Sequence, residues 1–318
     1  MSDTTRHDLH DAVIIGGGPA GLAAALMLDR THRDVVVLDS GTYRNDPTDA
    51  MHNVLGFDGV APAEFRAAAH RTLAAYETVG LRRATAHDVA PLDPASPADG
   101  FVVRTDDGDV AARRLLLATG VRDELPPTPG LERLFGTVAA HCPYCHGHEF
   151  SGTPVAILGA GPHAARVAGL IERIATRVVV LADGGDVDPQ VRAALDARGV
   201  AVRPEKVLRL EPLTLPGGHP GARAVLDGAA AEELGGIMVA PTLHQAAPFA
   251  TRLGLELRES GCVAVDAMAR TSMPGVLAAG DLAHTADFPM PVSSVTAAMA
   301  AGQLAAASID ADLLAAPR

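Results

Sequence analysis

Short apolar runs punctuated by glycine turns set the pattern of the first forty residues. Ala12–Ile15 predicts a buried strand, Gly16-Gly17-Gly18-Pro19-Ala20-Gly21 a turn, and Leu22–Arg30 an alanine- and leucine-rich helix. Asp34–Leu38 follows as a second apolar strand that closes at Asp39. Strand, glycine turn, helix and strand within about thirty residues is the length of one βαβ dinucleotide unit. The pattern then returns. Pro154–Leu158 predicts a strand, Gly159-Ala160-Gly161-Pro162-His163-Ala164 a turn, Ala165–Ala175 a helix, and Arg177–Leu181 a strand ending near Asp183. Between the two units, Phe101–Thr105 and Leu115–Thr119 read as strands around the Asp107-Gly108 turn. Ile237–Ala240 and Val276–Ala279 are further strands, and an alanine-rich helix spans about Ser294–Ser308.

These elements predict an α/β protein with two Rossmann-like dinucleotide-binding domains, the second inserted into the first. The Pro/Gly-rich stretches Leu125–Gly130 and Pro241–Pro248 are the linker candidates. Residues 1–122 and 245–318 then form the first domain, and 123–244 the insert. A length of 318 residues accommodates two such domains.

Composition narrows the partners. The formal charge is −12, from 26 basic and 38 acidic residues, so a basic phosphate-binding face is not expected and nucleic acid is a poor partner. Aromatics are 3% with no tryptophan, too few for a base-stacking platform. No apolar run approaches 18 residues and the start, Met1–Asp11, is polar, which argues against a membrane span or a secretory signal and for the cytoplasm. Three cysteines do not make a disulfide framework, and two of them share one Cys-x-x-Cys.

The glycines of Gly16-x-Gly18-x-x-Gly21 let the backbone turn sharply and aim a helix N-terminus at a pyrophosphate. Asp39 lies 23 positions beyond Gly16, where a carboxylate accepts from ribose hydroxyls. The bland alternative is a glycine-rich turn with no ligand. Such a turn does not by itself distinguish FAD from NAD.

Distant segments do. Leu115-Leu116-Leu117-Ala118-Thr119-Gly120 and Thr271-Ser272-Met273-Pro274-Gly275-Val276-Leu277-Ala278-Ala279-Gly280-Asp281 look like the strand ends of two-dinucleotide-domain flavoproteins. With the Cys-x-x-Cys just before the second glycine turn, the chain resembles the low-molecular-weight thioredoxin reductases over essentially its whole length. Tyr43-Arg44-Asn45 and Met51-His52-Asn53-Val54-Leu55-Gly56-Phe57 are similar to that family's flavin-adjacent loop. The resemblance implies FAD held by Gly16, Gly18, Pro19, Ala20, Gly21, Asp39, Ser40, Arg44, Asn45, His52, Asn53, Ala118, Thr119, Gly120, Gly280, Asp281, Ser294 and Val295. It also implies a homodimer.

The redox segment departs from the family. It reads His141-Cys142-Pro143-Tyr144-Cys145-His146-Gly147-His148-Glu149, with His146 where thioredoxin reductases carry an aspartate. Cys-Pro-Tyr-Cys-His-Gly is similar to the flavin-dependent dithiol oxidases that close the disulfides of gliotoxin and holomycin. The resemblance implies that Cys142 meets the substrate and Cys145 faces the flavin. An imidazole beside such a pair can take a thiol proton near neutral pH. His146 is the first candidate, with His148 and His141 as rivals. Two readings compete: solvated bystander histidines, and a zinc site of Cys142, Cys145, His146 and His148, for which adjacent Cys145-His146 suits a tetrahedron poorly, so that no metal is expected. Cys262 has no partner in sequence and reads as a structural thiol.

The second turn also departs. Thioredoxin reductases place a basic cluster after the second strand to hold the NADPH 2′-phosphate. Here Leu181-Ala182-Asp183-Gly184-Gly185-Asp186-Val187-Asp188 carries three acids, which repel a phosphate. Asp183 could still hold the ribose of NADH, and Arg166 and His163 are the only cations in reach along the sequence. Ser293-Ser294 stand where the family has an Arg-Gln pair. The expectation is an FAD-dependent dithiol oxidase acting on a small-molecule dithiol, with O2 as acceptor. An NAD(P)H-dependent disulfide reductase is the alternative, and a redox sensor a distant third.

Overall fold

The computed structural model describes residues 9–315; residues 1–8 of the polar start and 316–318 lie outside them. The chain divides into two units. One holds the stretches up to Asp46, from Ala63 to Arg122 and from Leu243 onward; the other holds Pro47–Pro62 and Asp123–Thr242. The return crossing lies two residues before the expected 245. Against the expected 1–122 boundary, Pro47–Pro62 groups with the insert.

The first unit opens with β1 (His10–Ile15), α1 (Pro19–Asp29) and β2 (Val35–Asp39), followed by α2 (Pro62–Leu73). Next come β3 (Val79–Arg83), β4 (Ala86–Pro91), β5 (Phe101–Thr105) and β6 (Val110–Leu117). Their order in the sheet is β3-β2-β1-β6-β5-β4. β2 is buried throughout, as a parallel strand covered on both faces must be. Val13 and Ile15 of β1 pack into one core with Phe101 and Leu115, while Ala12 and Ile14 pack into another with Leu28 and Ile309. Helix α1 begins three residues before the expected Leu22. Pro19, with its fixed φ, fits the first helical position and Gly18 caps it. β6 is longer than predicted because Val110–Ala112 pair with β5 and the later residues with β1.

The chain crosses on β7 (Val121–Glu124) into the second unit. There β8 (Ala139–Ala140), α3 (Pro143–His146), β9 (Pro154–Leu158), α4 (Ala164–Ile171), β10 (Arg177–Leu181), α5 (Pro189–Asp196) and β11 (Ala201–Arg203) follow. β12 (Val207–Thr214), β13 (Pro220–Leu226), β14 (Glu232–Leu234) and β15 (Gly236–Met238) complete it. The parallel sheet runs β11-β10-β9-β15-β8. β12, β13 and β14 form an antiparallel meander that the hydrophobic pattern did not announce. β16 (Thr242–Gln245), on the return crossing, pairs with β7.

Back in the first unit are α6 (Phe249–Arg252), β17 (Val263–Ala264), β18 (Val276–Ala278), β19 (Ala283–His284) and α7 (Val295–Ala315). β18 pairs parallel with β6 in the first sheet, where β5 runs antiparallel to both β4 and β6. Helix α7 packs on α1 so closely that a Cβ at Gly302 would lie 2.0 Å from the Ala20 carbonyl oxygen. Gly302→Ala is therefore expected to pry the helices apart and destabilise the protein by about 1–3 kcal/mol, measured by urea unfolding. An unchanged unfolding midpoint would show that the contact yields freely. Among the described residues no helix is long and apolar enough to cross a membrane.

Candidate active site

In the first unit, the glycine turn is a cradle built by close approaches. Gly16 has φ +123°, and a Cβ there would lie 2.3 Å from the Ala118 carbonyl oxygen. A Cβ on Gly21 would fall 1.9 Å from the Gly16 oxygen, whereas one on Gly18 would meet no atom within 4 Å. The turn is thus tight on the protein side and open at Gly18, over the N-terminus of α1. An open glycine backbone at a helix start suits a pyrophosphate.

Asp39 is buried at the end of β2. Its carboxylate accepts from the Gly41 N–H at 2.8 Å and from the Tyr43 hydroxyl at 2.5 Å. Burial, with the bond to Asp39, pushes the Tyr43 phenol up to about 12, so it stays a donor. Tyr43 is in turn covered by the Arg66 guanidinium, 3.7 Å from the ring centre. Arg44 meets Asp281 in an ion pair of 2.7 Å, joining two residues 237 positions apart. Asn45 accepts from Arg66 at 3.2 Å, while Ser40 is exposed. Gly280 (φ +86°) lies against Ala20, and the Ser294 hydroxyl caps α7 by accepting from the Ala297 N–H at 3.1 Å. Pro19 and Val295 are the first residues of their helices. Ala118 and Thr119 flank Gly16, and Gly120 (φ +68°) turns the chain away. An open turn, an acid at the strand end and a second acid before α7 fit a flavin dinucleotide.

In the second unit, Cys142 and Cys145 form a disulfide across a Cα separation of 5.2 Å. Both are half-buried, with Tyr144 exposed between them. Pro143 opens the short helix α3, and Cys142 caps it, its sulfur accepting from the Cys145 N–H at 3.1 Å. That donor stabilises a thiolate at Cys142 once the bond opens. His146 ends the helix. Its Nε2 lies 3.3 Å from the Gly136 carbonyl oxygen and 3.2 Å from the Thr48 hydroxyl. Burial holds this imidazole below the usual histidine range, against a raising pull from the Gly136 bond and Glu149. His148 is exposed, and the His141 ring stacks on Phe135.

Residues 47–62 form a strap over this helix. Asn53, with φ +63°, donates from its side chain to the Tyr144 carbonyl at 2.7 Å. His52 lies 3.4 Å from Glu149 on one side and 3.4 Å from Asp58 on the other. The backbone N–H of Asn53, then His52, hold the Asp58 carboxyl below its usual range. His52 and Asn53, expected beside the flavin, have these contacts to the redox segment and the strap. Leu55, at the strap's tip, is fully exposed.

The second glycine turn differs from the first. The His163 imidazole folds over Gly161, 3.2 Å from where its Cβ would be, and burial lowers its pKa. Asp183 (φ +53°) accepts the Val207 N–H at 2.8 Å, and Asp188 caps α5 through Gln190 and Val191. Arg166 is exposed. It and His163 are not the only cations near: Lys206 lies beside Gly184, and Arg203 lies in the adjacent strand, paired with Glu205 and Glu232. Tertiary folding, which brings β11 alongside β10, hides both from a reading along the chain. Cys262, in the first unit, is buried with its thiol pKa raised by that burial. Among the described residues no three histidine, cysteine or acidic side chains converge as metal ligands.

Residues 10–303 match the model of the pyridine nucleotide-disulphide oxidoreductases, and the chain belongs to that family. It is 34% identical to thioredoxin reductase aclD of Aspergillus oryzae over 320 residues, covering 96% of each chain. With thioredoxin reductase tcpT of Claviceps purpurea it shares 33% over 317 residues, 95% of each. Among solved structures, HlmI superposes with a TM-score of 0.84 at 32% identity, covering 98% of this chain and 95% of that one. An oxidoreductase from Agrobacterium tumefaciens gives 0.84 at 32%, over 96% and 99%. The protein is a thioredoxin reductase-like oxidoreductase of the flavin-dependent thiol–disulfide class. Sequence reasoning missed Thr48, Gly136 and Asp58, which no local signal marks, and gave no role to Glu149, which lies in the redox segment.

Proposed function

We propose that the protein is an FAD-dependent dithiol oxidase that closes an intramolecular disulfide in a small-molecule dithiol. A substrate thiol gives its proton to His146 and attacks Cys142, breaking the Cys142–Cys145 bond and forming a mixed disulfide. The second substrate thiol then attacks its own bridged sulfur, releasing Cys142. The substrate leaves as a disulfide, and its two electrons and two protons remain as two protein thiols. Gly16, Gly18, Gly21, Asp39, Asp281 and the α7 terminus would hold FAD, which when bound would supply the chemistry that reoxidises them, with O2 as terminal acceptor giving H2O2. An imidazole kept neutral by burial beside the disulfide suits the proton step. Exposed Tyr144 and Leu55 offer apolar surface to a small organic substrate. A homodimer, as in the resembled family, is part of this reading.

The observation that carries the oxidase over the reductase is the end of β10. There the turn carries three acids, Asp183, Asp186 and Asp188, against one exposed lysine, Lys206, beside Gly184, and Arg203 of the adjacent strand is paired with Glu205 and Glu232. That is a poor receptor for a 2′-phosphate. The test is anaerobic mixing of the flavin-loaded protein with NADPH, NADH or a small dithiol, each alone. The dithiol is expected to bleach the flavin quickly, and NADPH slowly or not at all. Rapid, saturable bleaching by micromolar NADPH would turn the assignment to a reductase.

A further inference from the structure

The His146 imidazole is offered hydrogen-bond partners on one nitrogen only. Nε2 lies within reach of the Gly136 carbonyl oxygen at 3.3 Å and the Thr48 hydroxyl oxygen at 3.2 Å. A carbonyl oxygen only accepts, so Nε2 must carry the hydrogen. The Thr48 hydroxyl has already given its own hydrogen to the Ala50 carbonyl at 2.9 Å, so towards His146 it too accepts. Both partners therefore select one tautomer, and in the neutral ring that leaves the lone pair on Nδ1. Among the described residues the imidazole's hydrogen bonds are all at Nε2, which leaves Nδ1 unengaged.

The two acceptors come from separate segments that meet only because residue 136 is glycine. Its φ is +94°, and a Cβ there would lie 2.3 Å from the Pro47 carbonyl oxygen. Any side chain at 136 would push away the strap residue next to Thr48. The close approach therefore brings a strap hydroxyl and a loop carbonyl to one imidazole nitrogen.

From this we infer that Thr48 is a positioning residue: with the Gly136 carbonyl it locks His146 as the Nε2–H tautomer, making Nδ1 the nitrogen that takes the thiol proton at the disulfide. This rests on His146 being the base of the proposed exchange, but the tautomer itself does not. The other titratable groups acting on His146 are Glu149, which favours its protonation, and His52, which opposes it. His52 is itself flanked by Asp58 and Glu149.

The test has two arms on the flavin-loaded protein. In the first, 15N-histidine NMR, with His146→Ala supplying the assignment, reads the tautomer directly. The wild type should show a protonated Nε2 and a bare Nδ1, and Thr48→Val should admit the other tautomer. In the second, dithiothreitol reduces the Cys142–Cys145 disulfide in an anaerobic single turnover, read by quenched thiol alkylation across pH. This step occurs whichever way electrons flow afterwards, so it does not depend on oxidase activity. Thr48→Val should slow it about three- to tenfold, the worth of one neutral hydrogen bond, and Thr48→Ser should restore it. The acid limb should also move to lower pH in Thr48→Val, because the lost oxygen is an acceptor that the imidazolium holds more strongly than the neutral ring. A structural lesion would lower the rate without that movement. A wild-type spectrum with Nδ1 protonated would overturn the proposal, as would a Thr48→Val protein with unchanged tautomer, rate and pH profile. A correct tautomer and Thr48 effect in a protein that oxidises no dithiol would leave the lock standing and sink the oxidase reading.

Discussion

Cys142→Ser and Cys145→Ser are each expected to drop dithiol oxidation to background, because a single thiol cannot hold the two electrons a disulfide accepts. FAD content should be unchanged, since the cradle around Gly16 and Asp281 belongs to the other unit. The variants should then part company. Offered an aromatic disulfide such as Ellman's reagent, Cys145→Ser should retain one mixed disulfide at Cys142, whose resolving partner is gone. Cys142→Ser should label more slowly, lacking the sulfur that accepts the Cys145 N–H. Mass spectrometry of the trapped adduct reads the difference. Steady dithiol oxidation by either variant would remove the Cys142–Cys145 pair from the mechanism.

The second large effect is expected at His146. A positioned general base contributes about 10²–10⁴-fold, so His146→Ala should lose roughly that much in dithiol oxidation at neutral pH. The deficit should shrink as pH rises and substrate thiols ionise unaided. The wild-type acid limb should lie below the ordinary histidine value of about 6.5, because burial disfavours the charged ring. The same sign governs stability. The unfolded chain binds the proton more tightly than the folded one, so the contribution of neutral His146 is present above about pH 6.5 and is lost as pH falls. If His146→Ala oxidises dithiols at the wild-type rate while His148→Ala or His141→Ala does not, the base is another histidine. If all three are fully active, histidine catalysis is the wrong idea.

Both nucleotide-type units were legible in the chain because their signals are local. Strands such as Pro154–Leu158, Arg177–Leu181 and Phe101–Thr105 lie where their apolar runs predict them. A buried parallel strand needs an unbroken apolar run, and a glycine turn needs residues that tolerate close backbone approach; both are written in consecutive positions. The Cys142–Cys145 pair is local for the same reason, being three residues apart. The meander β12-β13-β14 was not legible. Its strands interleave charged and apolar residues and carry Pro212 and Pro220, and their pairing supplies what their pattern lacks.

By itself, then, the sequence determined the α/β class, the two glycine turns, the redox pair and the candidate histidine. The tertiary structure decided how those groups are tuned. Thr48 stands 98 residues from His146, and Arg44 237 from Asp281. Asp39 accepts from Tyr43, and Asp183 accepts from the Val207 N–H. Such pairings follow from which loops the folded sheets bring together. A hydrogen bond acts only over about 3 Å, so an imidazole's tautomer depends on neighbours in space that no spacing along the chain encodes.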